Sequence, residues 1–296
     1  MLIVFNPTAG AGRRRRLARA LAALAARGLR PELTETRGPG DAEAIARRAS
    51  GNGVALVVAA GGDGTIAEVA AGLAGSAARL GLLPLGTANV LAWELGVPLA
   101  PEGAAQVLAG GRPALLRPGL ARFGDGSTRL FVQMLGAGFD AAVVAGLDLG
   151  LKRRIGRAAY VWQSLRELPR YGFPRIGVTL DGVAGVASSV IVTKGRLYAG
   201  RYQVAPGADP TNAGFHVVLF HRAGPGFAAL AGAALPLGLI PRLPGVEIIR
   251  AACLALHSAD GGAVPVQADG DPVGLLPVAV EDAPGPVWIM LPEGRP

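Results

Sequence analysis

Gly61-Gly62-Asp63-Gly64-Thr65 stands at the end of the apolar run 54–60 and leads into the helix-like stretch 66–73. Glycines let a ligand approach the backbone closely, and the unpaired N–H groups of a helix start suit a phosphate. A carboxylate in such a turn repels phosphate unless a divalent cation or a hydroxyl proton lies between them. The turn therefore points to phosphoryl transfer, with Asp63 as candidate metal-holding or catalytic group. Two other turns carry comparable chemistry: Asn6-Pro7-Thr8-Ala9-Gly10 after the first apolar run, and Gly86-Thr87-Ala88-Asn89 after a later one. Near the other end, Gln267-Ala268-Asp269-Gly270-Asp271 sets two carboxylates around a glycine, which as a surface turn alone would be unremarkable. No G-x-x-x-x-G-K-[ST] element occurs, and Gly10-Ala11-Gly12 lacks the third glycine of a dinucleotide fingerprint, Arg15 standing there. Arg13, Arg14, Arg15 and Arg16 could meet phosphate, but four consecutive residues cannot share one helix face, so at least half should face solvent.

The elements that must position these residues follow from periodicity. Strands are expected at 2–5, 31–36, 54–60 and 80–83, alternating with helices at 13–27 (Leu17, Leu21 and Leu24 on one face), 41–49 (capped by Asp41), 66–73 and 89–95. Such alternation predicts a parallel sheet flanked by helices. Sites in these sheets lie beyond the carboxyl ends of strands, and Asn6, Thr36, Asp63 and Thr87 all fall there. From about residue 118 the texture changes to short strands, expected at 130–135, 175–180, 186–193, 202–205, 216–220, 246–252 and 264–268. Asp125-Gly126 and Asp181-Gly182 are hairpin signals, and 152–168 is the main helical interruption. The expected fold is thus an α/β domain over 1–117, completed by 287–296, and a mostly antiparallel β domain over 118–286.

The chain has 296 residues and a net charge of +8, carried almost wholly by Arg, with Lys152 and Lys194 the only lysines. A basic balance suits nucleic acid, an anionic membrane surface or anionic substrates; no aromatic-interleaved basic sheet or zinc-finger signature accompanies the charge, and an anionic lipid surface explains it at least as well. Residues 223–241 are uncharged and long enough to span a bilayer by length alone. Their two internal prolines, glycines and predominance of Ala favour a core or interface helix instead. The single Cys253 excludes an intrachain disulfide, fits a reducing cytoplasm, and is expected to be buried. The apolar start, residues 1–5, reads as a strand and not a signal peptide.

In order, the chain carries Asn6 to Gly10, Gly61 to Thr65, Pro84 to Asn89, Gly136-Ala137-Gly138-Phe139-Asp140, Lys152-Arg153-Arg154-Ile155-Gly156 with Tyr160, and Gln267 to Asp271. With these motifs it resembles the diacylglycerol kinase/sphingosine kinase-like lipid kinases, especially the soluble bacterial members, over essentially its whole length. The resemblance implies an NAD kinase-like ATP-binding α/β domain and a β-sandwich-like second domain, with the active site in the cleft between them. It implies ATP binding by Asn6, Pro7, Thr8, Ala9, Gly10, Thr36, Gly61, Gly62, Asp63, Gly64, Thr65, Ile66, Ala67 and Thr87, and Mg²⁺ held by Asp63. The family's Asp-Gly-Glu element falls on Asp269-Gly270-Asp271, which leaves Asp269 and Asp271 as alternative proton acceptors. Ala67 stands where Asn is common, and Asn212-Ala213-Gly214 replaces an Asp-Gly that forms a structural magnesium site in some relatives; Asp209 is nearby. Lys152, Arg153 and Arg154 join the arginines after Gly12 as candidates for the transferred charge.

The resulting expectation is a cytoplasmic, peripherally membrane-associated, ATP- and Mg²⁺-dependent kinase. Its acceptor would be a lipid hydroxyl, diacylglycerol or sphingoid in type, and a homodimer is also admitted. Two alternatives compete. An NAD kinase-like enzyme shares the Gly-Gly-Asp-Gly-Thr turn, and an inactive nucleotide- or lipid-binding regulator would account for the departures at Ala67, Asn212 to Gly214 and Asp271.

Overall fold

The computed structural model describes residues 1–8, 12–148, 150–151, 155–156 and 158–294. Among the residues singled out above, Ala9, Gly10, Ala11, Lys152, Arg153 and Arg154 lie outside the described residues. The chain divides into two compact units, Met1–Arg117 with Ala283–Pro296, and Pro118–Asp282. The division falls four residues before the expected one at 286/287, because Gly75 donates its N–H to the Pro286 carbonyl (3.0 Å) and Gly285 packs on Gly75.

The first unit is a six-stranded sheet in the order β2-β1-β3-β4-β20-β5. Its strands are β1 (Leu2–Phe5), β2 (Glu32–Glu35), β3 (Leu56–Gly61), β4 (Arg79–Pro84), β5 (Arg112–Leu116) and the chain's last strand, β20 (Val287–Leu291). All neighbours are parallel except β20 and β5. The parallel strands β1 and β3 are wholly buried, as continuous apolar runs covered on both faces should be. The helices are α1 (Arg13–Ala25), α2 (Asp41–Gly51), α3 (Asp63–Leu73), α4 (Val90–Glu94) and α5 (Pro101–Gly110). Leu17 and Leu24 of α1 pack with Ala104 and Leu108 of α5 against Ile3, Phe5 and Val58. Asp41 does not cap α2. Gly40, in the left-handed region at φ 81°, holds the capping position, and the Asp41 carboxylate instead accepts the Arg37 N–H (2.8 Å). The chain leaves β1 toward β2 on one side and reaches β3 on the other, so the strand order reverses between β1 and β3, where ligand crevices open in such sheets.

The second unit is a sandwich of two antiparallel sheets, β10-β9-β16-β19-β6-β7 and β15-β14-β11-β8-β17-β18. One face of each contributes to a common core that includes Phe123, Val178, Leu256 and Val280 from the first and Leu135, Val192, Val217 and Val266 from the second. The first sheet contains β6 (Gly119–Phe123), β7 (Thr128–Phe131), β9 (Ile176–Leu180), β10 (Val183–Ala187), β16 (Leu254–Ser258) and β19 (Val278–Asp282). The second contains β8 (Met134–Ala137), β11 (Ser189–Thr193), β14 (Phe215–Phe220), β15 (Val246–Ala251), β17 (Pro265–Ala268) and β18 (Asp271–Leu275). A small hairpin joins β12 (Leu197–Tyr198) to β13 (Tyr202–Gln203). The helices are α6 (Phe139–Ala145), α7 (Ala158–Glu167) and α8 (Pro225–Ala234).

Two expected strands are each two strands in different sheets. The run 186–193 switches sheets at Ser188, whose hydroxyl bonds the Phe220 and Arg222 carbonyls (2.8 and 2.7 Å) and so replaces the interrupted ladder. The run 130–135 breaks at Val132 and Gln133. Cys253 is exposed, since it sits in the turn between β15 and β16 with its N–H bonded to the Asp181 carboxylate (2.9 Å), outside the sandwich. Among the described residues no helix is long and apolar enough to cross a membrane, and 223–241 folds as α8 followed by short 3₁₀ turns.

Candidate active site

In the first unit, the carboxyl ends of β1 to β4 bring the expected polar residues to one rim. The Asn6 N–H bonds the Ala60 carbonyl at the end of β3 (3.1 Å), and the Thr36 N–H bonds that of Phe5 (2.9 Å). Asn6 is consumed in organising this rim. Its amide nitrogen donates to the Thr65 hydroxyl (3.1 Å), and its side-chain oxygen accepts from the Thr8 N–H and hydroxyl (3.0 and 2.7 Å). The helix α3 begins at Asp63, with extended Gly62 as its cap, and its first intrahelical bond is Ile66 N–H to the Gly62 carbonyl (3.1 Å). The N–H groups of Gly64 and Thr65 therefore belong to the first turn, where helices lack internal partners. Ile66 and Ala67, expected among the nucleotide contacts, bury their side chains in the core at 0% and 1% exposure, which leaves only their backbone for such a contact.

The turn after β4 touches the turn after β3. A methyl group on Gly86 would lie 2.5 Å from the Gly62 Cα, so this backbone-to-backbone approach requires glycine. Asn89, in the left-handed region at φ 49° and buried, closes the second turn by accepting from the Gly86 N–H (2.8 Å) and donating to the Gly86 carbonyl (2.9 Å). Asn89 holds the capping position of α4, and Thr87 is exposed at the rim. Asp63 faces the start of α4, with the Leu91 N–H 3.4 Å from its Oδ1. Burial pushes the Asp63 carboxyl up to about 6, against backbone N–H groups around Leu91, Val90 and Asn89 that favour its charged form.

The four arginines after Gly12 separate. Arg14 pairs with Glu35 in solvent, Arg15 is exposed, and Arg16 reaches the Pro84 and Leu99 carbonyls (2.7 and 2.9 Å). Arg13 turns inward. Only 6% exposed, its guanidinium donates to the Asn6 carbonyl (3.3 Å), lies against Gly62, and leaves Nε without a hydrogen-bond partner. Burial, assisted by the neighbouring Arg16 charge, pushes its pKa down to about 10. A buried cation with an unused donor beside glycine turns is a costly arrangement that an anion would relieve.

In the second unit, Asp269 and Gly270 form the two-residue turn between β17 and β18, both at positive φ (49° and 87°). The Asp-Gly pair is thus a hairpin turn of the kind recognised at Asp125-Gly126. The Asp269 carboxylate accepts three backbone N–H groups, from Val132 (2.8 Å), Gln133 (2.8 Å) and Met134 (2.9 Å). Those bonds fill the interruption between β7 and β8, so this carboxylate clamps a strand break. Asp271 begins β18 with a half-exposed side chain 3.8 Å from the Arg129 guanidinium. Behind the turn, the Gly270 N–H bonds Gln267 Oε1 (2.8 Å) and Gln267 Nε2 bonds Asp140 (2.9 Å), which also accepts from the Tyr198 hydroxyl. Burial raises the Asp140 carboxyl, opposed by these two donors, and raises the Tyr198 phenol with the help of the Asp140 charge. A methyl on Gly136 would strike the Asp140 carboxylate, and one on Gly270 would lie 3.9 Å from the Tyr160 hydroxyl of α7. Residue type and spacing carry no sign of the link from Asp140 through Gln267 to Gly270, because its members are 127 residues apart in sequence.

Two sequence models match this chain, one for the diacylglycerol kinase catalytic domain over residues 1–119, the other for the YegS C-terminal NAD kinase beta sandwich-like domain over 133–291. A Pseudomonas putida protein named "Probable lipid kinase YegS-like" is 30% identical over 229 residues, 74% of this chain and 70% of its own. The chain belongs to the YegS-like lipid kinase family. A Stenotrophomonas maltophilia protein of the same name is 30% identical over 73% of this chain and 70% of its own. The fold is also that of a Bacillus anthracis str. Sterne crystal structure described as a candidate diacylglycerol kinase, with a TM-score of 0.79 at 20% identity, covering 99% of this chain and 96% of that one.

The family context raises the question of metal. Among the described residues no cluster of three or more His, Cys, Asp or Glu could cage an ion. Mg²⁺ commonly binds through one or two carboxylates plus substrate phosphates, and Asp63 is the carboxylate beside the glycine turns that could supply the protein's share. The structural site of some relatives does not fit here. At Asn212-Ala213-Gly214 the buried Lys194 ammonium donates to the Asn212 and Gly214 carbonyls (3.1 and 2.7 Å) and to Asp282 (2.7 Å), and stands 4.6 Å over the Phe215 ring. A side-chain cation already satisfies the oxygens in that loop.

Proposed function

We propose that this YegS-like protein is an ATP- and Mg²⁺-dependent lipid kinase, phosphorylating a hydroxyl of a diacylglycerol or sphingoid-type lipid at an anionic membrane surface. The observation that carries the nucleotide half is Arg13, buried beside Gly62 with Nε unpartnered. Its guanidinium and the first-turn N–H groups of α3 would take the phosphates, while Asn6 and Asn89 hold the two turns in place. Mg²⁺ held by Asp63 would neutralise phosphate charge.

On the acceptor side, Asp271 is the proton acceptor of choice. Asp269 is fixed by three amide bonds, whereas Asp271 stands half-exposed at the turn's outlet. The lipid oxygen attacks the γ-phosphorus, the bond to the β-phosphate oxygen breaks, ADP departs, and the hydroxyl proton passes to Asp271. Positioning and charge neutralisation do most of the work in such a transfer. Lipid contact is supported by α7, which borders Gly270 through Tyr160 and turns Val161, Trp162 and Leu165 outward, each more than half exposed. Trp beside aliphatic side chains suits a headgroup boundary. Incubation with labelled ATP, Mg²⁺ and dispersed diacylglycerol or sphingosine tests the reading. EDTA-sensitive label in a lipid phosphate supports it; ATP turnover that labels only free phosphate overturns it.

A further inference from the structure

Between Arg222 and Arg242 the chain has neither a charged nor a hydrogen-bonding side chain; residues 223–241 are all Ala, Gly, Pro, Phe, Leu or Ile. This segment folds as α8 followed by 3₁₀ turns at Leu235–Leu237 and Ile240–Arg242. One side packs on the second sandwich sheet, where Ala234 and Ile240 are buried with Ile191 and Val218. The other side faces outward with Leu230 at 51%, Leu237 at 71% and Leu239 at 40% exposure. A surface helix in water normally carries polar residues on that side, and contiguous exposed apolar patches mark interaction sites.

The backbone is closed on itself. Ala228 N–H bonds the Gly224 carbonyl (3.1 Å), Leu239 N–H that of Ala234 (3.1 Å) and Arg242 N–H that of Leu239 (3.0 Å). Leaving water would therefore strand few peptide groups. The ten residues of α8 span about 15 Å, half of a hydrocarbon core, so the segment can lie in a bilayer boundary but not cross it.

We propose that this segment is a membrane-contact face, with Leu230, Leu237 and Leu239 in the headgroup–acyl boundary and Arg222 and Arg242 on anionic lipid phosphates. The proposal rests on the lipid kinase reading for its purpose, and charge decides its occupant. Both exposed arginines frame a segment without any acid, and the next acid along the chain, Glu247, is paired with His221 (2.9 Å). Two copies meeting through this face would bring arginines together without counter-charges. An anionic bilayer supplies those charges, and arginine stems can lie along apolar surface while the guanidinium reaches the phosphates.

The test uses the full chain and vesicles of mixed phosphatidylglycerol and phosphatidylcholine. Sedimentation should show binding that Leu237→Glu weakens about tenfold or more, and that Arg222→Ala with Arg242→Ala makes weaker and less salt-sensitive. Separately, the emission that Leu237→Trp adds to that of the three native tryptophans should be blue-shifted and quenched by brominated lipids. Phosphorylation of detergent-dispersed lipid should stay near wild type in Leu237→Glu. Vesicle binding untouched by Leu237→Glu, or Leu237→Trp emission that brominated lipids leave unquenched, overturns the proposal. So does a lipid-free dimer that Leu237→Glu splits while vesicle binding persists, which would assign the face to a second copy. Leu237-dependent vesicle binding without any lipid phosphorylation would remove the kinase reading and leave the docking face standing.

Discussion

Replacing Asp63 by Asn should make the protein more stable while stopping its chemistry. The native carboxyl is raised from 3.8 to about 6, a shift of roughly two pH units at about 1.4 kcal/mol each. That sets a ceiling of about 3 kcal/mol on the cost of keeping the carboxylate charged, and partial solvent screening at the rim reduces it to about 1–2 kcal/mol. The sign follows from proton uptake. Between about pH 4 and 6 the native state binds more protons at Asp63 than the unfolded chain does, so stability declines as pH rises through that window. Asn cannot titrate. The variant should equal wild type below about pH 4 and exceed it by the full amount above about pH 7, about 3–6 °C in Tm for a protein of this size. Matched thermal or urea unfolding across pH measures the difference. Turnover should fall at least about 100-fold, as expected when an electrostatic stabiliser of the transferring group is removed. A variant less stable than wild type at pH 7.5, or a stability difference that does not change with pH, would refute the reasoning.

Asp269→Asn should lower stability and activity together, by about 2–4 kcal/mol for disrupted charge-assisted amide bonds. Asp271→Asn should cut kcat about 10²–10⁴-fold with Tm hardly changed, and Asp271→Glu should retain activity; matched melts and kinetics separate the two acids. Arg13→Met should weaken ATP binding about 10–100-fold, the worth of one or two charged hydrogen bonds, with no loss of apo stability, as read by calorimetric titration and melting. Wild-type Tm without nucleotide should be the same in EDTA and in Mg²⁺, because Lys194 fills the loop at Asn212 to Gly214. Lys194→Met should cost about 3–5 kcal/mol by stranding Asp282.

The first unit is legible because each polar site residue ends a strand whose apolar run is visible locally. Asn6, Thr36, Asp63 and Thr87 fall after β1 to β4, and parallel pairing brings their backbones to one edge. Which of them has a spare side chain is not local information. Asn6 is spent on Thr65 and Thr8, while Arg13, one of four identical neighbours, is singled out only by the Gly62 turn it packs against. In the second unit, alternation within 186–193 and 130–135 shows extended chain but not the sheet change at Ser188 or the break that Asp269 fills from more than 130 residues away. The Asp269-Gly270 turn itself was readable by the rule that finds Asp125-Gly126. The strands β6, β16 and β19 have five residues each, and their alternation is too short to stand out from the turns that flank them.

The most direct measurement follows γ-labelled ATP and Mg²⁺ presented to wild type, Asp63→Asn and Asp271→Asn with a panel of diacylglycerol, sphingosine, phosphatidylglycerol and NAD, and identifies each product by mass. A lipid phosphomonoester formed by wild type, abolished by EDTA and by both substitutions, is the predicted result. Label transferred to NAD, or no transfer to any acceptor by a folded protein that binds Mg·ATP, would contradict it.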